Sequence, residues 1–273
     1  MTEALLAEIR RRLDMALPAA RDAGRSTLTF FQRDNFAVER KADNSPVTVA
    51  DREAERLLRM RIADRFPGDG IVGEELGQQA GTTGFRWILD PIDGTKSFIS
   101  GVPLYSTLVG IEHDGRGVAG VICIPALDEL VYAAKGGGAF HVRGEGQPVP
   151  ARVSQRPLSH GLFLTSQVDS FDRRGAGDAF RRLQSAAYIT RTWGDGYGYL
   201  LVATGRAEVM VDPILNVWDA APLQTVLEEA GGSFTDWQGE PTIHGGDGVA
   251  ANPVVRDEVL AITRAFPKVA GLS

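Results

Sequence analysis

Hydrophobic positions recur along this chain with a helical period at its start, a strand period in its middle and an alternation of both towards its end. Over residues 3 to about 32, Leu5, Leu6, Ile9, Leu13 and Leu17 fall at helical spacing while Arg10, Arg11 and Arg12 take the remaining faces, which predicts a helix. Pro18 is expected to kink or divide it, and Phe30 and Phe31 to anchor it in the core. A polar, Pro-containing loop follows, Glu39 to Asp51, and then a second amphipathic helix with Ala54, Leu57, Leu58, Ile62 and Phe66 on one side, closed by Pro67-Gly68. Asp51 by itself reads as the N-cap of that helix, and Lys41 and Asp43 as solvated loop charges.

Ile71 to Leu76 is a short apolar run ending in Glu74-Glu75, of which only one side chain can face a given site on extended backbone. Trp87 to Leu89 predicts a buried strand that stops at Asp90-Pro91, with Gly94-Thr95 opening a short helix. Leu104–Glu112, Val118–Ile124, Glu129–Ala134 and Ala139–Val142 then read as strands on short connections, an antiparallel meander. Gly144 to Pro150 marks a boundary between halves, 1–148 and 149–273. Beyond it strands (Leu162–Thr165, Ala187–Trp193, Ala207–Val211, Ser233–Trp237, Gly248–Ala251) alternate with helices: Asp178–Ser185, Gly196–Thr204 closed by Gly205, one opened by Trp218-Asp219, and a last one from Asn252-Pro253 to about Phe266.

Composition narrows the function. A net charge of −6 argues against a general nucleic-acid or membrane-surface binder. Met1 to Arg12 carries five charged residues where a leader would be apolar, and no stretch of about 18 apolar residues occurs; a cytoplasmic protein is expected. The single cysteine, Cys123, lies in an apolar run and reads as a core residue.

The candidate chemistry lies in carboxylates at element ends: Glu74, Asp90, Asp93 and Asp219, with Asp51 close by. Taken alone, Asp90-x-x-Asp93-Gly94 reads equally as a turn and helix cap or as a site for a hard cation. If the carboxylates converge, their repulsion calls for divalent cations, and an all-oxygen set favours Mg2+ or Mn2+ over Zn2+. The four histidines are scattered. Hard cations beside the N–H groups at Gly94-Thr95 suit phosphate-ester hydrolysis, in which they activate a water and stabilise the leaving oxygen.

Gly73-Glu74-Glu75, Asp90-Pro91-Ile92-Asp93-Gly94-Thr95 and Trp218-Asp219-Ala220-Ala221, with Lys41-x-Asp43-x-Ser45-Pro46-Val47-Thr48-x-Ala50-Asp51 ahead of them, resemble in order the signatures of the inositol monophosphatase family. The resemblance implies an α+β, layered α-β-α-β-α fold, with an antiparallel sheet in the first half and a mixed sheet in the second. It also implies a lithium-sensitive, homodimeric phosphatase using two to three Mg2+ ions. It places one ion on Glu74, Asp90 and the Ile92 carbonyl, a second on Asp90, Asp93 and Asp219, and a weaker third on Glu74. Thr95 paired with Asp51 would activate the attacking water, and the Gly94 and Thr95 N–H groups would bind substrate phosphate.

Arg191-Thr192-Trp193-Gly194-Asp195-Gly196-Tyr197-Gly198-Tyr199, and Asp212-Pro213, are similar to the histidinol-phosphate phosphatase branch. That branch often has Cys where this chain has Gly196, a change expected to be tolerated. Asp195 and Asp212, with Arg191, are expected at the end of the substrate remote from phosphate, where carboxylates attract an amine; the alternatives are a helix cap for Asp195 and a turn for Asp212. Rival functions are an inositol or broad sugar-phosphate phosphatase and, in another class, a regulatory interaction protein.

Overall fold

The computed structural model describes residues 1–33, 38–40 and 46–268; Lys41, Asp43 and Ser45 lie outside the described residues. Helix α1 (Glu3–Thr27) runs unbroken through Pro18, with Ala16, Ala19 and Ala20 buried on both sides of it. The expected division does not occur, because burial of this small-residue face offsets the one backbone bond that Pro18 cannot make. The helix stops at Thr27, and Phe31 beyond it packs on Phe98 and Tyr105 with centroids 5.8 and 5.1 Å away.

Strands β1 (Val38–Arg40) and β2 (Pro46–Thr48) form a small antiparallel pair leading into α2 (Val49–Arg65). There follow β3 (Gly70–Gly73), β4 (Gly77–Gln79), β5 (Phe85–Asp93), α3 (Thr95–Ile99), β6 (Ser106–His113), β7 (Arg116–Ile124), β8 (Glu129–Ala134), β9 (Gly138–Arg143) and β10 (Val149–Pro150). They build an eight-stranded sheet in the order β10-β9-β8-β7-β6-β5-β3-β4. The meander is antiparallel as expected, but β3 lies parallel to β5, pairing Gly73 with Leu89. Sequence spacing cannot reveal that pairing, and it brings Glu74 beside Asp90.

The second half contributes β11 (Leu162–Leu164), α4 (Asp169–Arg173), α5 (Gly177–Ala186), β12 (Ile189–Arg191), α6 (Asp195–Ala203), β13 (Val209–Asp212), α7 (Val217–Glu229), β14 (Ser233–Thr235), β15 (Gly248–Ala251) and α8 (Arg256–Thr263). Its sheet, β12-β11-β13-β15-β14, is parallel across β12, β11 and β13 and antiparallel at β15 and β14.

The pleat of the large sheet sorts the core. Trp87, Leu89, Val109 and Val121 pack under α1 and α2, while Ile88, Leu108 and Ile122 face α6 and α7 in a cluster that also takes Leu164, Met210 and Ala250 from the second sheet. Phe163, Val209 and Val211 turn the other way, towards Phe171, Leu183 and Val259. The layers are therefore helices, sheet, helices, sheet, helices. Helix α7 lies very close to the large sheet: a Cβ on Gly110 would stand 2.5 Å from the Ala221 Cβ, and one on Gly120 2.3 Å from the Pro222 carbonyl oxygen. Among the described residues no helix is long and apolar enough to cross a membrane.

Candidate active site

Three carboxylates meet where β5 ends and α7 begins. Strand β5 does not stop at Asp90-Pro91 as its sequence suggests; it continues to Asp93, with a register shift against β6 between Asp90 and Asp93. Residues three apart on a regular strand point to opposite faces, and a bulge re-aims them. Asp219 comes from the third position of α7, and one oxygen from each of Asp90, Asp93 and Asp219 lies within 4.8 Å of the others. Burial, reinforced by Glu74, Asp93 and Asp219, holds Asp90 well above the usual carboxylate range. Burial, then Asp195 and Asp219, does the same for Asp93, and burial with Glu74 pushes Asp219 up to about 7. The Asp90 Oδ1 is buried with no hydrogen-bond partner. Clustered, desolvated oxygens with an unsatisfied member fit a hard divalent cation.

Glu74 sits just past β3, its N–H donating to the Leu89 carbonyl at 3.1 Å, and lines the cleft beside Gly94 and Thr95. Its turn is fixed by Glu55, a fully buried carboxylate of α2 that accepts the N–H groups of Glu75 (2.8 Å) and Leu76 (3.2 Å). Sequence reading missed Glu55, although an acid beside Ala54 and Leu58 on the apolar stripe was a usable signal.

Asp51 is not the N-cap of α2. Thr48 caps the helix, and Asp51, at the third helical position, accepts the Thr48 N–H (2.8 Å) and hydroxyl (2.5 Å) on Oδ2. Its Oδ1 is buried without a partner. Burial chiefly, with Glu74 adding, raises its pKa. The expected Thr95–Asp51 hydrogen bond is absent among the described residues. Thr95, in the first turn of α3, donates instead to the Ile92 carbonyl at 3.1 Å, a nearer partner three residues back.

The second half closes over this cluster. Asp93 Oδ2 accepts the Ser106 hydroxyl (2.6 Å) and the Gly196 N–H (2.5 Å). A Cβ at Gly196 would stand 2.3 Å from the Ser106 Oγ, so the glycine that this chain carries in place of the branch's usual Cys is matched to a close contact with Ser106. Asp195 adopts a left-handed backbone (φ 53°), and its carboxylate lies against Gly94, itself at φ 80°. A Cβ on Gly94 would come within 2.5 Å of the Asp195 Oδ2. Burial, with Asp212 next, pushes Asp195 up to about 6.

Two cavities, about 180 and 250 Å3, adjoin at Ser166, Gln167 and Asp195. The smaller is walled by Asp93, Asp219, Tyr199 and Asp212, the larger by Glu74, Gly94, Thr95 and Lys96. Asp212 reaches the cavity wall but is saturated. Thr165 Oγ1 (3.2 Å) and the Ser166 N–H (2.9 Å) donate to Oδ1, and Ser166 Oγ (3.0 Å) and the Tyr199 hydroxyl (2.9 Å) to Oδ2. Its geometry is that of an organiser of Ser166, which also receives the Asp195 N–H at 2.9 Å. Arg191 does not line either cavity. On the exposed edge strand β12 it points outward, donating to the Thr190 carbonyl at 2.7 Å.

The family model described as inositol monophosphatase family matches residues 8–267. A protein named histidinol-phosphatase from Chlorobaculum parvum is 42% identical, over 92% of this chain and 96% of its own. One of the same name from Mycobacterium tuberculosis is 38% identical, over 91% and 96%. Among solved structures, the extragenic suppressor protein suhB of Bartonella henselae superposes with a TM-score of 0.85 at 28% identity, covering 93% of this chain and 98% of that one.

Proposed function

From the premise that this chain belongs to the inositol monophosphatase family and is a phosphatase, we propose that it is a Mg2+-dependent phosphomonoesterase hydrolysing L-histidinol phosphate to L-histidinol and phosphate. The observation that carries the chemistry is the convergence of Asp90, Asp93 and Asp219 on one side of a polar cleft, with the Asp90 Oδ1 buried and without a hydrogen-bond donor. Similarity over nearly the whole chain to proteins named histidinol-phosphatase supports the choice of substrate.

Asp90, Asp93, Asp219, Glu74 and the Ile92 carbonyl would hold two to three Mg2+ ions, with Mn2+ as a substitute. When bound, these ions supply an activated water and offset charge on the leaving oxygen. The chain's own residues do the rest. Asp51, through its unpartnered Oδ1, accepts the proton of the attacking water, and the Thr95 hydroxyl, held by the Ile92 carbonyl, accepts a hydrogen bond from that water and so positions it. The Gly94 and Thr95 N–H groups hold phosphate at the larger cavity, and Asp195, at the junction of the two, receives the substrate amine. Asp212 and Tyr199 fix Ser166 and so the wall against which the amine end rests. Lithium sensitivity, homodimeric assembly and a cytoplasmic location go with this reading on the strength of the family resemblance.

A phosphate-release panel tests it. With Mg2+, kcat/KM for histidinol phosphate should exceed that for inositol 1-phosphate and glycerol 2-phosphate by about tenfold or more, the value of one charge-assisted contact to the amine. Excess chelator should abolish turnover. A preference for inositol 1-phosphate would overturn the substrate, and full activity in chelator would overturn the metal chemistry.

A further inference from the structure

A phosphate ester entering this cleft meets carboxylates on nearly every side. Among the described residues, the larger cavity is lined by two acids, Glu74 and Asp195, and one base, Lys96, and the adjoining cavity by Asp93 and Asp219, which cluster with Asp90. Lys96 is exposed on α3, and its ammonium donates to the side-chain oxygen of Gln167. Gln167 follows β11 in the other half of the molecule and lines both cavities. The bond therefore crosses the cleft where the two cavities adjoin. Lys96 also lies near enough to Asp195 for its charge to favour the ionised carboxylate, against the upward push of burial and Asp212. A direct ion pair with Asp195 would occupy the cavity and cancel the charge. A neutral amide restrains the ammonium without neutralising it, and an exposed bond of this kind is readily exchanged.

We propose that Lys96 is the anion-capturing residue of the cleft: its ammonium leaves Gln167 to bind the non-bridging oxygens of the phosphate ester, and Gln167 is the holding partner that keeps it off the carboxylates. The inference rests on the cleft being a phosphate-ester site and names a residue for its specificity towards anions.

The test is equilibrium binding of inorganic phosphate by calorimetry in Mg2+, alongside steady-state kinetics on histidinol phosphate and glycerol 2-phosphate. Lys96→Met should weaken inorganic phosphate about tenfold and raise KM for both esters by a similar factor, while kcat changes far less. Lys96→Arg should recover most of the loss. Gln167→Glu, which ties the ammonium in an ion pair, should also weaken phosphate, but should add nothing once Lys96 is Met. Unchanged phosphate affinity in Lys96→Met, additive effects in the double variant, or no phosphate binding by the wild type would each overturn the role of Lys96. Weakened phosphate binding in Lys96→Met with a wild type that hydrolyses no ester would leave that role standing and sink the proposed reaction.

Discussion

Asp51 and Asp219 occupy the same position in their helices, the third, and divide their oxygens in the same manner. Oδ2 of each accepts the backbone N–H of the residue that caps the helix, Thr48 in one case and Asn216 in the other, at 2.8 Å. Asp219, so anchored, still gives an oxygen to the cluster with Asp90 and Asp93, while Asp51 keeps its Oδ1 buried and without a partner. Cap and ligand, which the sequence offers as alternatives, are compatible roles of one side chain. The cluster has a consequence for pH. Burial raises the native pKa values of Asp90, Asp93 and Asp219, the last to about 7, above that of an unfolded aspartate, about 3.9. Between those values the native protein holds protons that the unfolded chain has released, so without metal its stability falls as pH rises. Divalent cations displace those protons. The rise in Tm given by saturating Mg2+ should therefore be larger at about pH 8 than at about pH 5, and calorimetry should detect proton release on binding. A pH-independent rise would mean that these groups are already ionised in the metal-free protein.

At the scale of elements, the height of α7 above the large sheet sets where Asp219 stands. Gly110 and Gly120 permit that approach, the latter because any Cβ would meet the Pro222 carbonyl oxygen at 2.3 Å. Gly120→Val should lift the N-terminal half of α7, lowering stability by about 1–3 kcal/mol as overpacking does and weakening Mg2+ at the same time. Thermal unfolding and a Mg2+ titration of the same variant would check this; lost stability with wild-type metal affinity would show that the helix does not control the ligand. Much of this architecture is legible in the sequence, because Gly, Pro and Asp mark where elements end and the carboxylates lie at those marks. Glu129–Ala134 and Gly248–Ala251 form strands over the ranges their patterns predict. What stays hidden depends on neighbours distant in the chain: the parallel pairing of β3 with β5, the bulge that turns Asp90 and Asp93 to one face, the contact that requires Gly196, and the four donors that saturate Asp212. Periodicity reports which face a residue shows, and not what stands opposite.

Over the whole molecule, Asp93 is held by one donor from each half, Ser106 and Gly196, and Asp219 reaches the cluster from the second half. That arrangement governs the order of events in time. Contacts between residues so far apart in sequence form late, after each sheet has drawn its own strands together. The ion-binding cluster should therefore be missing from the folding transition state and present only once the halves have docked. Mg2+ should accordingly slow unfolding many-fold while leaving the rate of folding nearly unchanged, as unfolding and refolding rates in denaturant with and without Mg2+ would show. A folding rate that rises with Mg2+ would mean that the halves dock early. On the expected outcome, the metal prolongs the lifetime of the native protein without hastening its arrival, and depletion of Mg2+ shortens survival before it alters the yield of folding.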